Sequence, residues 1–111
     1  MGRLKLTEGR QGGAWVITVA GELDLAVADQ LEAAIDRVAA DAVVLVDLEP
    51  CEFIDSTAIA LFVAARRRRR ADGRQLAILR PTDQVKRVLE LTGLTDNGLV
   101  FESVGDAVAA G

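Results

Sequence analysis

In the segment AWVITVA, Ala14 to Ala20, Trp15, Ile17 and Val19 fall on one side and Val16, Thr18 and Ala20 on the other. This two-residue period predicts a strand. A shorter alternation at Leu4-Lys5-Leu6 precedes it, and EGRQGG, Glu8 to Gly13, carries enough glycine to turn the chain between the two. Together they predict an antiparallel hairpin. The period then lengthens. From Ala26 to about Ala40 the apolar residues stand at Val27, Leu31, Ile35 and Val38, a helical stripe. Asp24, in GELD, is placed to cap that helix, because a carboxylate accepts from the exposed amides of a first turn.

AVVLVDL, Ala42 to Leu48, is a continuous β-branched run that suits a covered strand. EPCEFIDST follows, where Pro50 bars a regular ladder position and predicts a turn. Thr57 to about Ala71 has helical length and ends at the turn signal Asp72-Gly73. QLAILR, Gln75 to Arg80, is a strand stopped by Pro81. TDQVKRVLELTGL is a helix capped by Thr82 or Asp83, with Val85, Val88 and Leu89 as its face, Gly93 at its end and Leu94 folded back on its last turn. GLVFES supplies a last strand, and Ser103 caps a short helix from Val104 to Ala109. The order β-β-α-β-α-β-α-β-α predicts an α/β fold: a mixed, largely parallel β-sheet with helices packed on it, in a single domain over residues 1–111.

Composition narrows the chemistry. The chain is half hydrophobic and 27% charged, the profile of a folded soluble domain. There is no histidine, so Ser–His and Cys–His nucleophile pairs and histidine-ligated metals are excluded, and no cofactor is implied. The one cysteine, Cys51, cannot form an internal disulfide, and the expected compartment is a reducing cytoplasm. No membrane span is expected, since the apolar run Ala58 to Ala65 is far short of the roughly 20 residues a bilayer requires. A net charge of −4 argues against direct nucleic-acid binding by the surface as a whole.

The stretch FIDSTAIALFVAARRRRR, Phe53 to Arg70, concentrates what chemistry remains. A nucleophilic Ser56 lacks a base and a third group to orient it. The five arginines Arg66 to Arg70 spread around a helix axis without interleaved aromatics, so they are expected to be a solvated helix end that complements the dipole, with the aliphatic stems of some covering apolar surface. Asp55, Ser56 and Thr57 occupy a cap region. They make either a plain N-cap or a regulated one, because a phosphate on a first-turn hydroxyl meets free amides and adds charge without unfolding the helix.

Taken together, GELDLAVADQLEAAI, VVLVDLEPCEFIDSTAIALF, VKRVLELTGL and VFESVGDAVAA resemble the STAS domain family, specifically a bacterial anti-sigma factor antagonist, from about Trp15 to Ala110. The resemblance implies a non-enzymatic switch in sigma-factor-dependent transcription. The unphosphorylated protein binds an anti-sigma factor serine kinase, and phosphorylation at Ser56, with Thr57 as a secondary acceptor, releases it. A PP2C-type phosphatase then resets the switch. Asp24, Asp55, Ser56 and Thr57 map onto the expected partner-binding surface. The alternative within the family is a scaffold subunit of a transport or stress-signalling complex in which Ser56 is only a cap. Two positions depart from the family pattern: Thr57 is followed by Ala58 where glycine is frequent, and the arginine run is heavier than the family requires.

Overall fold

The computed structural model describes residues 4–38, 43–71, 75–92 and 99–110, with the side chains of 25–27 left aside. Ten elements follow in order: β1 (Leu4–Gln11), β2 (Ala14–Leu23), α1 (Leu25–Asp36), β3 (Val43–Asp47), β4 (Cys51–Ile54), α2 (Ser56–Ala71), β5 (Leu76–Leu79), α3 (Asp83–Leu91), β6 (Val100–Phe101) and α4 (Val104–Ala110). The six strands form one sheet ordered β1-β2-β3-β5-β6, with β4 also paired to β2. Among the described strand pairs only β1–β2 is antiparallel. The mixed, largely parallel sheet expected from the hydrophobic pattern is therefore present. Its hairpin turns on Gly12, whose φ of +57° is a conformation that glycine adopts at little cost.

Alternation along the strands sorts the core into two layers. Ile17 and Val19 of β2, Val44 and Val46 of β3, and Leu76 and Ile78 of β5 pack against Leu31 and Ile35 of α1, Ile59 and Phe62 of α2, and Val85 and Leu89 of α3. Val16, Leu45, Ala77 and Leu79 face the opposite way and pack against Ala107 of α4. Thr82 caps α3, its hydroxyl accepting the Val85 amide at 3.2 Å, and Ser103 caps α4 through the Asp106 amide at 3.1 Å. The expected features at Asp72-Gly73, Gly93 and Leu94 lie outside the described residues.

Two expectations are corrected. EPCEFIDST is not simply a turn, because Cys51–Ile54 forms β4. β2 is ten residues long: its first half pairs with β3 and its end, Gly21 to Leu23, pairs with β4. The chain leaves β3, turns at Glu49-Pro50 and returns to the same neighbour. Pro50 serves this break by accepting rather than donating, its carbonyl taking the Gly21 amide at 3.1 Å. The register shifts after Gly21, whose φ of +103° again suits glycine.

The second correction concerns the arginines, which are not one solvated helix end. Arg66 Nε donates to the Leu76 carbonyl of β5 at 3.3 Å. Arg68 pairs with Glu32 (3.4 Å) and Asp36 (3.6 Å) of α1, and Arg69 is buried at 5% exposure. Arg67 and Arg70 remain exposed in the expected way. Five identical residues on a helix point around its whole circumference, so the neighbouring α1 and β5 decide which of them meet protein.

Candidate functional site at two adjacent helix starts

The register Leu23↔Ile54 sets the ends of β2 and β4 side by side, so the next residues, Asp24 and Asp55, leave the sheet together. The Asp55 amide donates to the Leu23 carbonyl at 3.2 Å, which ties the two junctions. Each aspartate opens a helix, α1 after Asp24 and α2 after Asp55. The sequence-predicted quartet Asp24, Asp55, Ser56 and Thr57 is thus gathered at one carboxyl-terminal corner of the sheet.

The two aspartates behave differently. Asp55 is a true cap: its Oδ1 accepts the Ala58 amide at 2.8 Å, and its carbonyl accepts the Ile59 amide at 3.1 Å. Asp24 holds the cap position only through its backbone, its carbonyl accepting the Ala28 amide at 2.9 Å. Its carboxylate makes no cap hydrogen bond, which corrects the expectation of side-chain capping there. The reason is orientation. Oδ1 is buried without a hydrogen-bond partner, and no first-turn amide donates to the carboxylate.

Ser56 and Thr57 are the first two residues of α2, and both are exposed. Ala58, which follows, is 2% exposed and belongs to the core, as do Ile59 and Phe62. A buried alanine at this point seats the helix start on the sheet while leaving the two hydroxyls in water. Ten residues further along α2, about 15 Å at 1.5 Å per residue, the arginines begin, so no arginine of the run shares the corner.

One positioning pair was not singled out from sequence. Asp47, at the end of β3, is buried, and its Oδ2 accepts from Arg80 Nη2 at 2.7 Å. Its other oxygen accepts the Glu49 amide at 3.0 Å and so shapes the turn that delivers the chain to β4. The hydrogen bond to Asp47, and then its charge, hold the Arg80 guanidinium above its ordinary value. Arg80 takes a left-handed φ of +48° directly after β5. The signal in the sequence is an acid closing one apolar run, VVLVD, and an arginine closing the next, LAILR. Phe53, three residues before Ser56, is 45% exposed, one of two large exposed apolar residues among those described. Cys51 is fully buried, its Sγ donating to the Phe53 carbonyl, and burial pushes the thiol up from its ordinary value.

Among the described residues no helix is long and apolar enough to cross a membrane. The family model of the STAS domain matches residues 7–107. The anti-sigma-B factor antagonist of Staphylococcus aureus is 33% identical over 82 residues, covering 72% of this chain and 76% of that protein. The crystal structure of an anti-sigma factor antagonist from Mycobacterium paratuberculosis is similar over 97% of this chain and 93% of that one, with a TM-score of 0.81 and 25% identity. The Bacillus cell fate determinant SpoIIAA, solved in its phosphorylated form, shares the fold with a TM-score of 0.69 at 20% identity, over 97% of this chain and 98% of that one. With a hairpin-led, largely parallel sheet, helices on both of its faces and a family match over nearly its whole length, this chain belongs to the STAS domain family.

Proposed function

We propose that this chain is an anti-sigma factor antagonist that acts by binding, not by turnover, in the cytoplasm. Unphosphorylated, it captures an anti-sigma factor serine kinase through the corner formed by Asp24, Asp55, Ser56 and Thr57, and so frees a sigma factor for transcription. Phosphorylation of Ser56 by that kinase releases it, and a PP2C-type phosphatase restores the binding form. The observation that carries this reading is the exposed Ser56 hydroxyl, held at the first position of a helix whose next residue but one is locked into the core. Such a hydroxyl is open to a kinase, and a phosphate added there changes a surface while the fold stays intact. Similarity to the Staphylococcus aureus antagonist supports the choice of partner class.

A dianion at Ser56 stands beside Asp55 and near Asp24, so an interface formed on this corner would have to bury like charges together. The test uses the purified chain, an anti-sigma factor serine kinase and ATP, with mass analysis of the product and titration of the complex. One phosphate on Ser56, absent in Ser56→Ala, is expected. Ser56→Asp is expected to weaken the complex about tenfold or more, equivalent to about 1.4 kcal/mol. A tight complex that gains no phosphate would make the chain a scaffold subunit instead. Equal affinity of native chain and Ser56→Asp would refute the switch.

A further inference from the structure

A phosphate on Ser56 would meet a helix start at which one of the first-turn amides is already in use. The first amides of a helix have no partner within it, and they attract anions. In α2 the Ala58 amide is taken, at 2.8 Å, by the Asp55 carboxylate. Asp55 is itself anchored on both sides, by its amide to Leu23 and by its carbonyl to Ile59. Ala58 is packed in the core, which fixes its amide at the helix start.

We propose that Asp55 is a positioning residue for the Ser56 switch: by holding the Ala58 amide it denies that donor to a phosphate on Ser56 and keeps the phosphate's charge facing outward. The inference rests on the phosphorylation reading above. An anion absorbed by first-turn amides presents less charge to a partner, and the switch would be blunted. With the amide occupied, the added charge stays on the surface the partner must cover. The charged groups on the elements around the corner add to this effect. On β2, β4 and the two helix starts they are acidic, namely Glu22, Glu52, Asp24 and Asp55 itself, while α3, packed against β4, carries Asp83, Lys86, Arg87 and Glu90. Arg80 is engaged by Asp47 and Lys86 by Glu102 at 3.2 Å.

The experiment places phosphoserine at position 56 of the full chain during translation, so no kinase is needed. It compares native Asp55 with Asp55→Asn and Asp55→Ala. Asparagine keeps an acceptor for the Ala58 amide without the charge, and alanine keeps neither. The second ionisation of the phosphate is followed by phosphorus NMR, and the Ala58 amide resonance in the same samples reports the cap. The expected order of midpoints is native highest, Asn lower and Ala lowest. The Asn-to-Ala gap, the part owed to the freed amide, is expected to be about half a unit or more. Asn and Ala titrating together would overturn the proposal, and so would native and Ala titrating together. If the alanine variant does not fold, Asp55→Gly replaces it, since glycine is tolerated at a cap far better than alanine. A chain that no kinase phosphorylates leaves this titration unaffected, so failure of the switch and failure of the Asp55 role are separable.

Discussion

The Asp47–Arg80 pair should respond asymmetrically to losing one partner or the other. Both truncations delete the same 2.7 Å hydrogen bond, yet the side chains left behind differ: Arg80 is 39% exposed and Asp47 only 7%. In Asp47→Ala the orphaned guanidinium regains water, so loss of the pair costs about 1 kcal/mol, discounted as for an exposed bridge. The Glu49 amide also loses its acceptor, worth about 1 kcal/mol more. In Arg80→Ala a carboxylate remains buried without its cation, and breaking a buried pair this way costs about 3–5 kcal/mol. The Glu49 amide still donates to that carboxylate, which places the expected loss near the lower limit. With an unfolding entropy of about 2.1 cal/mol/K per residue, a chain of 111 residues loses about 4 °C of Tm per kcal/mol. Thermal unfolding followed by circular dichroism should therefore fall about 9 °C for Asp47→Ala and about 13 °C or more for Arg80→Ala. The double variant should cost less than the sum of the two. Equal losses, or a larger loss for Asp47→Ala, would refute the assignment of Asp47 as the buried member.

The arginine run offers a graded test. Arg67→Gln and Arg70→Gln should each change stability by less than about 0.5 kcal/mol, and Arg68→Gln by no more than about 1 kcal/mol, shrinking further in high salt. Arg69→Ala should cost more than any of these, because its side chain is buried in the protein; four equal losses in urea unfolding would contradict the packing. Cys51 supplies a pH test. Its folded thiol is raised above the ordinary 9.0, chiefly by burial. Its neutral form therefore contributes stability that is fully present below the unfolded value and is lost as pH rises through the folded one. The urea midpoint should decline from about pH 9 upward, Cys51→Ala should flatten that slope, and an unchanged slope in the variant would assign it elsewhere.

Much of the architecture was legible in local pattern. The two-residue period of AWVITVA separates the same two faces that the structure packs against different helices. Thr82 and Ser103 cap the helices their positions implied, because capping is a contact between residues three apart. The corner at Asp55 to Thr57 was legible for the same reason, being a short run of cap-forming residues before an apolar block.

What the sequence did not disclose depends on neighbours distant along the chain. β4 exists because β2 runs long enough to offer a second partner after β3 has ended, and no periodicity within EPCEFIDST records that pairing. Arg66 to Arg70 are chemically identical, so only α1 and β5 can divide them into a donor to a strand carbonyl, an ion-pair partner, a buried side chain and two solvated charges. Asp47 and Arg80 meet because β3 and β5 are adjacent in the sheet although a whole helix separates them in sequence. The same distinction holds at the corner where Asp24 and Asp55 leave the sheet. The sequence placed Asp24 at one helix cap and Asp55, Ser56 and Thr57 together in the cap region of another. Tertiary structure made Asp55 the cap and turned an oxygen of Asp24 inward, since where a carboxylate points is settled by what is packed around it.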